Sequence, residues 1–327
     1  MIHRRHLLSL LAMPGVSLSG AAREPAMKWA DSSRLGRPFS KDPSVVRFGG
    51  RYLLYCSLPG GAADNNVGWA IGIAESRDLI NWKKIGEVLP EKDHAHEKNG
   101  ICAPGAVVIG DRVHLFYQTY GNARLDAICH AESSDGIRFT RDASNPVFRP
   151  GGDWNAGRAI DADVIQFKDR WYLYVATRDP GMKIQMITGA VAEKGKGFGR
   201  DAWKMLADRP LLKPELPWER DCIEAASVLV RDGAMYMFYA GGYNNAPQQI
   251  GCARSVDGIQ WTRLFNEPLL ANGAAGEWNS SESGHPGVFV DRDGKTYLFF
   301  QGNNDAGRTW YLSHVRIGWR GGKPYIS

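Results

Sequence analysis

The sequence predicts an all-β chain folded as a five-bladed β-propeller of four-stranded antiparallel blades. Two recurring patterns and one missing periodicity lead there. The first pattern is a hairpin that returns five times, at spacings of about 60 residues: Asp42–Tyr55, Ala103–Tyr117, Asp161–Tyr174, Glu224–Tyr239 and His285–Phe300. Each copy has two β-branched or aromatic runs around a Gly or Asp turn, the composition of paired strands. The second pattern is Ile71-Gly-Ile-Ala-Glu-Ser-Arg-Asp, matched by Ile128-Cys-His-Ala-Glu-Ser-Ser-Asp and Ile250-Gly-Cys-Ala-Arg-Ser-Val-Asp. It reads as a third strand, a tight turn and the start of a fourth. No long helical period appears. Four strands per unit, repeated radially, bury each sheet face only against its neighbours.

These units occupy nearly all of residues 25–327, which predicts one domain. The stretch from about 26 to 40 is expected to run alongside the blades and help close the ring. A sandwich of short strands is the competing architecture, but sandwiches rarely show such regular self-similarity.

Residues 1–24 have the layout of a signal peptide. A positive start (Arg4, Arg5) precedes a short apolar stretch (Leu7 to Val16) and then small residues (Ser17 to Ala22). The paired arginines point to twin-arginine export, so the expected location is the periplasm or the outside of the cell. No later segment is long and apolar enough to span a membrane. The net charge of +5 is small, and acidic and basic residues interleave; nothing resembles a nucleic-acid footprint. Five cysteines (Cys56, Cys102, Cys129, Cys222, Cys252) fall about one per repeat with no CxxC pair. They are expected to pack as small apolar groups, with no disulfide framework and no zinc site.

In a propeller the first strand of each blade lines the central channel, so the residue opening that strand lies at the rim of the funnel. Asp42, Asp161, Glu224 and His285 hold these positions. Concentrating like charges is unfavourable unless chemistry requires it. That convergence is the functional signal.

The motifs around these residues resemble glycoside hydrolase family 43 and related five-bladed propeller glycosidases. They are Lys41-Asp42-Pro43, Ala103-Pro104, Ile160-Asp161-Ala162, Ile223-Glu224-Ala225-Ala226 and Gly284-His285. The resemblance runs from about residue 38 to 315. It implies Asp42 as the general base that activates water, Glu224 as the general acid, and Asp161 as the residue that orients the acid and keeps it protonated. His285 would line the pocket floor, where relatives use such a histidine for a central metal or for the sugar. No cofactor is required, and a structural calcium in the channel stays open. The implied activity is inverting hydrolysis of a plant or algal oligosaccharide or polysaccharide, with an α-L-arabinofuranosyl or β-xylosyl target.

Two departures matter. Asp161 is followed by Ala162 rather than Pro, and Glu224 by Ala-Ala rather than Gly-Pro. Sister families that release anhydro-galactose use a blade-five histidine as acid, which would move that role to His285. A carbohydrate-binding propeller without hydrolysis is another alternative. A phosphorolytic relative would need basic residues around the acids, where only Arg158 is evident. Arg158 is a candidate substrate contact, as are Trp69, Trp154 and Trp278 in Gly- and Asn-rich loops. Trp82 and Trp261 recur at one repeat position and read as structural, and Arg178-Asp179-Pro180 reads as a turn.

Overall fold

The computed structural model describes residues 25–60 and 68–327. The expected signal peptide lies outside the described residues. Five four-stranded antiparallel sheets are present, each ordered by sequence from the channel outward. Blade one comprises Lys41–Phe48, Arg51–Leu58, Ala70–Ser76 and Lys83–Val88. Blade two comprises Ile101–Ile109, Arg112–Thr119, Ile128–Ser133 and Thr140–Arg141. Blade three comprises Ile160–Phe167, Arg170–Arg178, Gln185–Glu193 and Lys204–Met205. Blade four comprises Ile223–Arg231, Ala234–Gly241, Gln249–Ser255 and Thr262–Arg263. Blade five comprises Glu282–Val290, Thr296–Asn303, Tyr311–Arg320 and Lys323–Ile326. The predicted propeller is therefore the observed fold.

The apolar core is divided among the five gaps between neighbouring blades. Tyr55 and Leu115 fill the gap between blades one and two; Phe116 and Leu173 fill the next. Tyr174 and Met237, Phe238 and Leu298, and Leu54 and Phe299 occupy the remaining three. No blade has a core of its own, as the repeat logic requires. Blade five is built wholly from the C-terminal end of the chain. The ring is closed by the N-terminal segment, where Trp29 bridges Leu312 and Phe39 bridges Trp310. All five cysteines are buried and unpaired.

The inner strand carries the same kink in every blade. Asp42, Ala103, Asp161, Ala225 and His285 have φ of 55°, 46°, 56°, 53° and 49°. Pairing with the second strand slips at each of them. A non-glycine residue in the left-handed region costs about 1–3 kcal/mol, so something must hold it there. In four blades a side chain of the preceding blade does so. Gln301 Oε1 accepts the Asp42 N–H (3.0 Å), Ser57 Oγ that of Ala103 (2.7 Å), and Gln118 Oε1 that of Asp161 (2.9 Å). Gln248 Oε1 accepts the His285 N–H (3.1 Å).

This register corrects one sequence expectation. Glu224 is not the counterpart of Asp42, Asp161 and His285. That place in blade four belongs to Ala225, and Glu224 precedes the kink, in register with Lys41, Cys102, Ile160 and Gly284.

Two residues beyond the kink, the inner strands are stitched to one another around the axis. Ser44 Oγ accepts the Ala106 N–H, Asp163 Oδ2 the Val228 N–H, and Ser227 Oγ the Val288 N–H. At the remaining two junctions glycine allows direct approach. A Cβ on Gly105 would lie 2.0 Å from the Ala162 carbonyl oxygen, and one on Gly287 2.1 Å from that of Pro43.

Candidate active site

The kinks turn Asp42, Asp161 and His285 toward one another at the head of the axial channel. His285 Nε2 lies 3.3 Å from Asp42 Oδ1 and 3.3 Å from Asp161 Oδ1. All three side chains are buried. Beneath them is a cavity of about 50 Å³, which Ser44, Asp163 and Ser227 also line. Burial alone would pull the His285 imidazole down, but Asp42 and Asp161 outweigh it and hold it up at about 9. It is therefore an imidazolium at neutral pH, shared by two carboxylates.

Glu224 approaches this group from the side and is also buried. Its carboxylate is held between two amides. Gln248 Nε2 donates to Oε1 at 2.7 Å, and Gln185 Nε2 donates to Oε2. Neither amide is free to turn over, because its oxygen is occupied. Gln248 Oε1 accepts the His285 N–H, while Gln185 Oε1 accepts from Arg158 (3.3 Å) and Arg178 (2.8 Å). Burial and the neighbouring Asp161 charge raise the Glu224 carboxyl, against His285 and the Gln248 amide, which favour its ionised form.

Arg158 also pairs with Asp126, 3.3 Å away, so its route to the acids runs through Gln185. Arg178 lies over the Tyr243 ring. Lys41, the residue before Asp42, donates to Asn244 (2.6 Å) and covers Trp310 (4.5 Å to the ring centre). The sequence reading saw only Arg158 as a nearby cation; Arg178 and Lys41 join it. Glu282, three residues before His285, is buried and receives Gln301 Nε2 (2.9 Å) and the Asn245 N–H (2.6 Å). Burial pushes its carboxyl up to about 7.

Trp278 is not presented to the channel as a free platform. Its ring packs on Phe300 (5.6 Å between centres) and against Gly302, within the core between blades four and five. Trp218 does the same on Tyr239 and Gly241 in blade four. Trp154, Trp218 and Trp278 each stand seven residues before the kinked residue of their blade. Trp218 and Trp278 at this position are therefore architectural, while the Trp154 indole nitrogen is buried without a hydrogen-bond partner. Among the described residues, Trp69, Tyr120 and Phe39 form an aromatic group where blade two is entered, and Trp310 and Tyr243 stand beside Lys41 and Arg178. Trp69 lies 5.4 Å from Tyr120 and 6.0 Å from Phe39, ring centre to ring centre.

Sequence reasoning also missed Gln185 and Gln248. Both begin or immediately precede the third strand of a blade, where each bridges the entry of the next blade: Gln185 to Cys222 and Gln248 to Glu282. Trp69 and Trp310 hold the same bridging place in blades one and five. Two glutamines at one repeat position was the available signal. A larger cleft, about 780 Å³ and lined by His114, His130 and Trp171, lies between blades two and three and holds none of these acids.

Comparison with known proteins agrees with this architecture. The model of glycosyl hydrolases family 43 matches residues 35–324. A 1,2-beta-oligomannan phosphorylase from Thermoanaerobacter sp. (strain X514) is 26% identical over 211 residues, 62% of this chain and 64% of that protein. The chain spans less than two thirds of the length of the curated relatives it matches. Among solved structures, a thermostable family-43 glycoside hydrolase superposes with a TM-score of 0.68 at 20% identity, covering 88% of this chain and 92% of that one. An alpha-L-arabinofuranosidase from Lactobacillus brevis gives 0.65 at 19% identity, covering 88% and 94%. With the family match spanning all five blades, the chain belongs to glycosyl hydrolases family 43.

Proposed function

We propose that this protein is an exported glycosidase that cleaves an oligosaccharide or polysaccharide of plant or algal origin by direct attack of water, with inversion. The carrying observation is the buried cluster itself: an imidazolium shared by Asp42 and Asp161, beside a Glu224 carboxyl raised by burial and by Asp161. Asp42 is the base that takes a proton from the attacking water. Glu224 is the acid that protonates the leaving oxygen. Asp161 favours the protonated form of Glu224 before the step, and the Gln185 and Gln248 amides stabilise the carboxylate left after it. An acid favoured protonated and a base kept ionised are the two roles inversion requires. An α-L-arabinofuranosyl or β-xylosyl unit is the target this reading favours.

His285 fits the acid role less well. Its Nε2 proton is already shared by two carboxylates, which hold it on the ring. The same contacts speak against a calcium ion bound directly by Asp42 and Asp161. The positive charge such an ion would bring is supplied by His285, and Ser44, Asp163 and Ser227 below are committed to backbone N–H groups. No step in this reading passes through a metal.

A second reading, phosphorolysis, is favoured by two observations. Arg158 and Arg178 meet on Gln185 beside Glu224, with Lys41 next to Asp42, and a curated relative is named as a phosphorylase.

The test is a panel of aryl glycosides and oligosaccharides, assayed with and without inorganic phosphate, with product anomers followed by NMR. Inverted sugar released without phosphate, and lost in Glu224→Gln and Asp42→Asn, supports hydrolysis. A sugar 1-phosphate formed only when phosphate is present moves the assignment to phosphorolysis. Binding without turnover on the whole panel leaves a carbohydrate-binding propeller. Activity that survives Glu224→Gln but not His285→Ala transfers the acid role to His285. N-terminal sequencing of the protein secreted by its host tests export: a start near residue 25 supports it.

A further inference from the structure

The segment 89–100 joins blade one to blade two and takes no part in the chemistry above. It reads Glu91-Lys92-Asp93-His94-Ala95-His96-Glu97. Successive turns fold it back on itself: the His94 N–H donates to the Glu91 carbonyl (3.0 Å) and the Glu97 N–H to that of His94 (2.9 Å). The two imidazoles stack with ring centres 5.5 Å apart.

Each ring has a nitrogen in the wrong environment for an ordinary surface histidine. His94 Nδ1 and His96 Nε2 are both shut away from solvent, and neither has a hydrogen-bond partner. Glu91 Oε2 comes within 3.3 Å of His94 Nδ1, yet is not placed to form a hydrogen bond with it. A buried nitrogen left without a partner costs about 1–3 kcal/mol, and here there are two side by side. One nitrogen from each ring and a Glu97 carboxylate oxygen all lie within 4.8 Å of one another.

A bound cation would account for these features together. In a tetrahedral zinc site, nitrogen and oxygen ligands at about 2.1 Å stand roughly 3.4 Å from each other. That is the edge seen between His94 and Glu91. Glu97 is the poorer carboxylate ligand, because its oxygens already accept from Tyr117 (2.6 Å), Arg141 (3.1 Å) and the Glu91 N–H (2.8 Å). Glu91 has no hydrogen-bonded partner of that quality; its nearest cation is Arg141 at 3.8 Å. We propose that His94 and His96 bind a divalent transition-metal ion of the zinc type, with Glu97 the carboxylate that converges on both rings and Glu91, 3.3 Å from His94, the freer one that turns in to complete the set. Two imidazoles and one carboxylate suit zinc and its neighbours, whereas calcium asks for six to eight oxygens.

The ion would staple this loop rather than take part in bond cleavage. The Asn122 side chain donates to the His96 carbonyl (2.9 Å), the Tyr120 N–H to that of Gly100 (3.0 Å), and the Ile101 N–H to that of Trp69 (2.9 Å). Fixing 89–100 therefore steadies the Trp69–Tyr120 pair where blade two is entered.

The full chain, stripped with a chelator, is titrated with zinc chloride by calorimetry, with calcium chloride in parallel. One equivalent of zinc and no comparable calcium binding are expected. The double variant His94→Ala/His96→Ala should lose at least about a hundredfold in zinc affinity, and Glu91→Gln at least about tenfold. A His3→Ala/His6→Ala control should bind zinc as wild type does. Cobalt loaded in place of zinc should give the visible absorption of a four-coordinate ion, absent in the double variant. If the chain binds no zinc, or binds it equally well without His94 and His96, the proposal is overturned. Should the double variant not fold, His94→Gln alone decides by the same affinity readout.

Discussion

Buried carboxylates are handled in opposite ways in the blades and at the channel mouth. In the segment leading into blade two, Glu97 is fully buried and receives the Tyr117 hydroxyl (2.6 Å) and the Arg141 guanidinium (3.1 Å). In the turn leading into blade four, Glu219 repeats the device with the Tyr239 hydroxyl (2.7 Å) and Arg263 (2.7 Å). Burial pushes both carboxyls up, but the arginines more than offset it and leave both below the usual range. At the mouth, Asp42 and Asp161 share one imidazole, and Glu224 has only neutral amides as direct partners. Glu97 and Glu219 each get a cation that fixes their charge, whereas Asp163, bonded to the Val228 N–H without a cation, is pushed up by burial to about 7. Glu224, with no cation of its own and its carboxyl raised by burial and by Asp161, keeps its protonation state available for chemistry.

Four experiments would break or sharpen this contrast. The largest effect should come from Glu224→Gln and Asp42→Asn, each lowering kcat by roughly 10²–10⁴-fold, the usual scale of general acid–base catalysis. Glu224→Gln should melt at or above the wild-type temperature, since it relieves its crowding with Asp161, whereas Asp42→Asn should melt lower, since it takes away one of the two carboxylates that hold the His285 imidazolium. A folded, fully active Glu224→Gln enzyme would remove the contrast. Next, Glu219→Ala removes the buried carboxylate that Arg263 and the Tyr239 hydroxyl share, leaving Arg263 only the exposed Glu215 (2.9 Å) as a carboxylate partner, and should cost about 3–5 kcal/mol in denaturant unfolding. The kcat of the folded fraction should be unchanged.

A pH experiment follows. The imidazole of His285 stands near 9 in the fold against an ordinary value near 6.5 in the unfolded chain. Its stabilising contribution is therefore complete below about pH 6.5 and is lost as pH rises through about 9. Unfolding free energy measured from pH 6 to 10 should fall in that window, and His285→Asn should flatten the fall. An identical slope in the variant would mean that the imidazole is not charged in the fold. The smallest effect is expected from Gln185→Leu. It removes one donor to the Glu224 carboxylate, so kcat should drop by about tenfold, the worth of a hydrogen bond to a charged group. The alkaline limb of the pH–rate profile should move upward, because the ionised form of Glu224 has lost support. A shift downward would contradict the orientation assigned to the amide.

How much of this was legible beforehand differs from residue to residue. The kink in blades one, three and five falls on Asp42, Asp161 and His285, each also marked by its place in the repeat. In blade four the run Glu224-Ala225-Ala226 offers no such marker beyond the carboxylate itself, and the eye lands one residue early. Pairing register, which a bulge shifts by one, is a property of two strands and not of one. Trp278 shows the converse: its spacing to His285 repeats that of Trp218 to Ala225, so its packing role was readable. Arg178 was not, because a residue flanking a turn gives no hint that its guanidinium will settle on Gln185.

By itself, the sequence determined the five-fold architecture and marked Asp42, Asp161 and Glu224 for the axis, but not Asp163, which the kink brings to the same cavity. Hairpin composition and repeat spacing are local, and a ring of blades is the arrangement that buries every sheet face they create. The tertiary structure alone decided that two aspartates share one histidine, that Glu224 lies between two oriented amides, and that the arginines reach it only through Gln185. These are contacts between different blades, set by side-chain geometry across distances that no stretch of chain encodes.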